Sequence, residues 1–352
     1  MGIVKKFNTI WLSLTYNCNN NCVWCYSASN REKRYEENLI EHHEKELTDF
    51  LYDLKVKRII LIGGEPTLYK GLPKLISDLS KRGIRVGIVS NGRKLENYSF
   101  CEELKENGLN SVSISIEGHD QQSHEAITQV KGSYEETIRG IRAVNKLGLI
   151  MSTNTVIGKN NINNLEKIVK SIIQEKIKVM TFNVCGVCLS NDGNNQNLLP
   201  LKEVVGAYKN IHDYIKSLGL KSRLVTPIPY CLFEEADRKK LLEEKVISGG
   251  PCQVVHGKNF AIEFNGNVLP CTHLAGYPLF NLFKGKNILK RKEFIREYNK
   301  KGGVAMELRE KMSFYPSNKC NRENCNESCS GGCPLLWKGY DPNKEIPGIQ
   351  NA

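Results

Sequence analysis

Between residues 13 and 27 the chain reads SLTYNCNNNCVWCYS. Cys18, Cys22 and Cys25 stand among asparagines, with Trp24 inside the last gap and Tyr26 just beyond. A structural zinc ion takes four ligands in a tetrahedron, and this stretch offers three thiols. The nearest histidines, His42 and His43, lie well downstream in an expected helix. An iron–sulfur cube held by three thiolates, with one iron left open, suits the spacing better.

The residues around the loop say what carries it. Residues 7–15 read as a first β-strand. Two lysines precede this partly apolar run, as in a signal peptide, but Asn8 interrupts it and no small-residue cleavage site follows. Lys6 occupies the place where a myristoylation signal wants Ser or Thr. Further β-branched runs at 58–62, 84–89, 111–116, 150–157 and 179–185 predict five more strands. Helical spacing predicts helices over 37–56, 72–82, 134–147, 162–176 and about 200–219. Gly83, Gly108 and Gly148 are placed as C-terminal caps. Strand then helix, repeated, predicts an α/β fold: a partial (β/α)6 TIM-like barrel whose chemistry sits at the carboxyl ends of the strands.

The periodicity breaks at TPIPYC, and beyond Cys252 short strands, turns and cysteines take over, with NFAIEFNGNVLPC reading as a hairpin turning at Asn265-Gly266. The expected division is a barrel over 1–225, a small cysteine-rich α+β domain over 226–345, and a tail over 346–352.

Thirteen cysteines in 352 residues, without a secretion signal, point to metal chemistry in the cytoplasm. No stretch has the roughly 18 uninterrupted apolar residues of a membrane span. The net charge of +12 is spread along the chain, and runs such as REKRYEE and DRKKLLEEK alternate in sign as solvated faces do, so no membrane partner is expected and an acidic peptide or nucleic acid is only the alternative to a solvated surface.

The motif C-x3-C-x2-C just after a first strand resembles the signature loop of the radical S-adenosylmethionine (radical SAM) enzymes. The resemblance continues in order along the barrel: LIGGEPTL after the second strand, SNG after the third, SISIEG after the fourth and NTVIGKNN after the fifth. It implies that Cys18, Cys22 and Cys25 hold a [4Fe–4S] cluster whose open iron binds S-adenosylmethionine. It also implies that Gly63 and Gly64 let the backbone approach the cofactor, and that Glu65 accepts from its ammonium group. Ser90 and Asn91 belong to the third motif. Ser115 and Glu117 would reach ribose or carboxylate, while Ile157 with Gly158 and the backbone at Tyr26 would face the adenine. The implied chemistry is reductive cleavage of the cofactor to methionine and a 5′-deoxyadenosyl radical that takes a hydrogen atom from the substrate.

The second half reads C-x13-G-x4-C at Cys252, Gly266 and Cys271, then C-x4-C-x3-C-x3-C at Cys320, Cys325, Cys329 and Cys333. Four close thiols also suit zinc. The whole pattern resembles the SPASM extension of radical SAM enzymes, which carries auxiliary [4Fe–4S] clusters. By that resemblance Cys252, Cys271 and Cys333 share one cluster and Cys320, Cys325 and Cys329 the other. The inner spacing differs from the usual x2 then x5, and no cysteine follows Cys333. One or two clusters are therefore open readings, with an open iron, Cys231 or Asp341 as the missing ligand.

Cys185 and Cys188 end the sixth strand and should look toward the barrel mouth, where a thiol would return a hydrogen atom to a substrate radical or ligate substrate; the alternative is burial as small hydrophobes. Cys101 reads as a small buried residue. The resemblance implies a radical SAM enzyme acting on a ribosomally made peptide, by cross-link, thioether, oxidation or epimerisation, with an electron donor such as flavodoxin or ferredoxin. Only seventeen residues precede Cys18, so either a separate leader-recognition protein or direct binding of the leader by the basic surface is expected. The alternatives are a dehydrogenase or epimerase of an aminoglycoside or sugar alcohol, and a non-catalytic zinc-binding adaptor.

Overall fold

The computed structural model describes residues 4, 6–31, 39–186, 197–247, 252–285, 287–312, 320, 329 and 331–346. Strands β1 (Thr9–Ser13), β2 (Arg58–Ile62), β3 (Arg85–Ser90), β4 (Leu109–Ser115), β5 (Ile150–Ile157) and β6 (Val179–Val184) pair in parallel in chain order. All six expected strands are present, with ends that differ from expectation by at most two residues. Between and after them run α1 (Glu44–Asp53), α2 (Leu72–Lys81), α3 (Tyr98–Glu106), α4 (Gln121–Thr128), α5 (Ser133–Lys146), α6 (Leu165–Gln174) and α7 (Leu201–Ser217).

Helix α2 shows how the sequence makes these elements. Leu72, Leu75, Ile76 and Leu79 recur at helical spacing and are wholly buried, so one stripe of the helix faces the sheet. Pro73 sits in the first turn, where no backbone donor is needed. Gly83 follows the helix at φ +73°, a left-handed conformation that a side chain resists.

Two strands extend the parallel series at its ends. β7 (Lys221–Leu224) pairs with β6, a strand not expected from a stretch that reads KSRL and buries only its leucine. β8 (Phe260–Glu263) is the first arm of the expected hairpin, and Gly266 turns it at φ +82° into β9 (Asn267–Leu269) and then β10 (Phe280–Asn281). Its other edge pairs in parallel with β1, Ile10 opposite Phe260. One ten-stranded sheet therefore runs β10-β9-β8-β1-β2-β3-β4-β5-β6-β7, a partial TIM-like barrel with added strands at each end.

The rings of Phe7, Phe260 and Phe294 lock this junction at centroid separations of 5.0–5.8 Å, and all three are buried. Cys101 is wholly buried in α3, as expected of a small core residue. Among the described residues no helix is long and apolar enough to cross a membrane.

Candidate active site

The cysteine loop leaves β1 at the carboxyl edge of the sheet and is tied down along its length. Leu14 N–H donates to Ile62 at 2.9 Å, continuing the β1–β2 pairing, and the Gly64 and Glu65 amides donate to Thr15 and Asn17 at 2.7 and 2.8 Å. Further on, Asn21 and Val23 donate to the carbonyls of Thr128 and Ile127, where α4 ends, at 2.8 and 3.0 Å. The two glycines of GGE have a reason the sequence did not show. A Cβ on Gly63 would stand 2.3 Å from the Thr15 carbonyl oxygen, and one on Gly64 would stand 2.3 Å from that of Asn17. What they admit is the loop's own backbone, where approach of the cofactor was expected.

Glu65, expected to receive an ammonium group, is wholly buried and meets the protein's own donors. Its Oε1 accepts from the Thr67 amide at 3.1 Å, the Thr67 hydroxyl at 2.6 Å and the Ser90 hydroxyl at 2.8 Å, and its Oε2 from the Asn91 amide at 2.7 Å. Burial pushes its pKa up and these donors pull it back. Ser90 and Asn91 are thus parts of a bracket joining the turns after β2 and β3.

From that bracket two side chains reach the loop. Asn91 Nδ2 donates to Asn19 Oδ1 at 2.6 Å and points at Cys18 Sγ from 3.9 Å. Arg93, which the sequence reading passed over, donates to the Asn19 carbonyl and to Asn20 Oδ1, and pairs with Glu136. Its only sequence signal is its position directly after SNG, since the loop it grips is more than seventy residues away in the chain.

Cys18, Cys22 and Cys25 are all half-buried. The Asn20 amide points at Cys18 Sγ at 3.3 Å, and Cys25 Sγ lies 3.3 Å from the Ser27 hydroxyl. Three reachable thiols on a backbone held from outside, with N–H donors aimed at sulfur, fit a metal–thiolate cluster. Among the described residues no three Cys, His, Asp or Glu side chains converge on a single point.

Opposite the loop, Glu117 is buried after β4. Its Oε2 accepts from the Val156 amide at 3.0 Å, its own amide donates to His124 Nδ1 at 3.3 Å, and Asn161 Nδ2 donates to its carbonyl at 3.1 Å. Ser115 is half-buried at the end of β4. Burial pushes the Glu117 carboxyl up to about 8, against the Val156 bond that lowers it. The folded protein therefore keeps a proton there between about pH 4.5 and 8 that an unfolded glutamate has lost. Stability falls as pH rises through that window and levels off above it. Glu117→Gln should flatten the fall, read as melting temperature against pH; identical slopes in both proteins would contradict this placement.

Ile157 is wholly buried, so its side chain offers a ligand nothing. At Gly158 an added Cβ would meet the Trp24 ring at 3.2 Å and Cys185 Cβ at 3.3 Å, which brings the cysteine loop, β5 and β6 together at one point. Cys185 is 5% exposed, and burial together with the nearby Glu117 charge pushes its thiol up to about 12. It stays protonated at neutral pH. Cys188 and Cys325 lie outside the described residues.

Three cysteines of the second half, Cys252, Cys271 and Cys333, lie near one another. Cys252 and Cys333 are raised mainly by burial, Cys252 to about 11, and each feels the charge of Cys271. The Cys333 amide donates to Pro227 at 2.8 Å. Cys329 is buried and Cys320 half-buried. Cys231 is half-buried in the turn Tyr230–Leu232, whereas Asp341 caps Pro342–Glu345 by accepting from the Asn343 amide at 2.9 Å.

Residues 12–172 match the family model described as the radical SAM superfamily. The chain carries a radical SAM domain. A [4Fe–4S] cluster is characteristic of that superfamily, and the cluster and S-adenosylmethionine are the domain's cofactors.

Among curated relatives, Fe-coproporphyrin III synthase of Methanosarcina barkeri is 30% identical over 51% of this chain and 44% of its own length. GTP 3′,8-cyclase of Peptoclostridium acidaminophilum is 32% identical over 51% of this chain and 55% of its own. The chain thus spans about half the length of these relatives. Among solved structures, Streptococcus suis SuiB bound to S-adenosylmethionine superposes with TM-score 0.71 at 17% identity, over 99% of this chain and 78% of that one. Native anSMEcpe with bound AdoMet gives TM-score 0.72 at 20% identity, over 98% of this chain and 100% of that one. At these identities the likeness is one of fold, and it extends beyond the radical SAM domain through the cysteine-bearing second half.

Proposed function

We propose that this chain is a radical SAM enzyme that modifies a ribosomally made peptide. The observation that carries the reading is the extent of the structural likeness. Nearly all of the chain, second half included, superposes on SuiB and anSMEcpe. SuiB has also been solved bound to the precursor peptide SuiA, and anSMEcpe with the Kp18Cys peptide.

In this reading Cys18, Cys22 and Cys25 would hold the first cluster, with S-adenosylmethionine bound beside it. Cluster and cofactor together supply one-electron cleavage of a carbon–sulfur bond and a hydrogen-abstracting carbon radical. The chain's own residues do the positioning. The Glu65–Ser90–Asn91 bracket and Arg93 fix the loop, Glu117 and Ser115 would reach the ribose or carboxylate of the cofactor, and the backbone at Tyr26, Ile157 and Gly158 would flank its base. Trp24 and Gly158 lie beside Cys185, whose protonated thiol would give a hydrogen atom to the substrate radical, the sulfur radical left behind taking one electron from the external donor and a proton from solvent to restore the thiol. Cys252, Cys271 and Cys333 hold an auxiliary cluster, and Cys320, Cys325 and Cys329 serve a second.

The test is anaerobic reconstitution with iron and sulfide, then incubation with S-adenosylmethionine, a strong reductant and any peptide encoded by a short reading frame found beside the gene, followed by mass spectrometry; sugar-biosynthesis genes there in place of a short frame would favour a small-molecule substrate. A loss of paired hydrogens, or uptake of solvent deuterium that disappears in Cys185→Ala, is the expected result. Cofactor cleavage with an unchanged peptide would favour a second reading, a small-molecule substrate, which the names of the curated relatives support. Stoichiometric zinc without iron would refute both.

A further inference from the structure

The two groups of cysteines touch through one histidine. His273 lies in the short turn Thr272–Leu274 that Cys271 opens, and its Nδ1 stands 3.7 Å from Cys271 Sγ. The other side of its ring packs on Tyr26, the residue after Cys25, with centroids 5.0 Å apart and planes at 45°.

This turn is anchored to the first loop at two further points. Tyr16, two residues before Cys18, donates its hydroxyl to Glu263, whose Oε1 also accepts from the Gly276 amide at 3.4 Å. Gly276 in turn lies so close to Asn30 that an added Cβ would be 3.3 Å from its Oδ1. The imidazole is therefore held between the loop of the first cluster and a thiol of the second group, with its position set from the first-loop side.

We propose that His273 donates its Nδ1 hydrogen to the Cys271 thiolate and so raises the reduction potential of an auxiliary cluster, with Tyr26 holding the ring in place. The inference rests on the reading that Cys252, Cys271 and Cys333 hold such a cluster. A hydrogen bond to a ligating sulfur stabilises the extra negative charge of the reduced state, which moves the potential upward. The separation suits a donor better than a ligand. A ligand on a neighbouring iron stands farther from Sγ than about two metal–sulfur bonds of roughly 2.3 Å each, and His273 is nearer than that. The consequence is functional: a residue beside the site of cofactor cleavage helps decide how readily the auxiliary cluster takes an electron.

The test uses full-length protein with Cys18, Cys22 and Cys25 changed to alanine, so that only auxiliary clusters are read, by redox titration followed by electron paramagnetic resonance and by iron analysis. His273→Phe keeps a ring against Tyr26 and removes the donor. It should leave iron content unchanged and lower the reduced-to-oxidised ratio at a fixed potential on the order of tenfold, about 59 mV for one electron. His273→Gln, which keeps a donor, should recover part of the shift, and Tyr26→Leu should move the potential the same way by less. An unchanged ratio in His273→Phe overturns the proposal. Loss of iron in that variant, together with nitrogen hyperfine coupling of a directly bound imidazole in the parent, also overturns it by making His273 a ligand. If the triple-alanine parent takes up no iron at all, the auxiliary-cluster reading itself fails and the inference falls with it.

Discussion

Replacing Cys18, Cys22 and Cys25 together with alanine takes 5′-deoxyadenosine formation to background while the fold persists. None of the three thiols belongs to the hydrophobic core, and all are half-buried. The loop is held by other groups: the Asn21 and Val23 amides on the end of α4, the Thr15 and Asn17 carbonyls under the GGE turn, and Arg93 on Asn19 and Asn20. Removing the sulfurs leaves every one of those contacts in place, so the melting temperature of the metal-free protein should change little, within about 1 kcal/mol of stability. Bound iron should fall by the share of one cluster. The assay is chromatographic detection of 5′-deoxyadenosine under strong reductant, and cleavage that survives the triple change would refute the assignment of this loop.

Gly64→Ala is expected to do nearly as much damage without touching a ligand. The new methyl would sit 2.3 Å from the Asn17 carbonyl oxygen and 2.4 Å from that of Tyr16. Both are backbone atoms, so the loop must lift and lose the bonds from the Gly64 and Glu65 amides. Overpacking of this kind costs about 1–3 kcal/mol. At Gly63, where φ is +151°, a side chain adds backbone strain of about 1–3 kcal/mol to a comparable overlap. Gly83→Ala is the control, because its φ of +73° imposes strain while nothing lies within 4 Å of the added carbon. All three should lower the melting temperature, and only the Gly63 and Gly64 variants should also retain less iron and cleave less cofactor. A Gly64→Ala protein with full iron content would show that the loop does not depend on this seat.

The strands that were legible in the sequence are those with a run of β-branched or leucine residues long enough to fill a buried strand, such as RIILI at 58–62. β7 escaped because KSRL spends only one residue on the core, and its place is set by pairing with β6. The hairpin at Asn265-Gly266 was legible from its turn, while the parallel pairing of β8 with β1 joins residues about 250 apart and leaves no local trace. The same limit applies at the site. Cysteine spacing and the motifs after each strand are local and could be read. Arg93 gripping Asn19, and Glu65 spent on Ser90 and Asn91, depend on contacts between loops that the fold alone creates.

Because β8 lies along β1, the strand that launches the cysteine loop is covered on both sides. A fragment ending at residue 225 would bare the whole flank of β1, and unclaimed amides and carbonyls on a flat apolar strand recruit other chains. Insoluble expression of such a piece would follow from that sticky margin alone and would say nothing against the chemistry of its cysteines. Dissection of this protein is better done by point changes in the intact polypeptide.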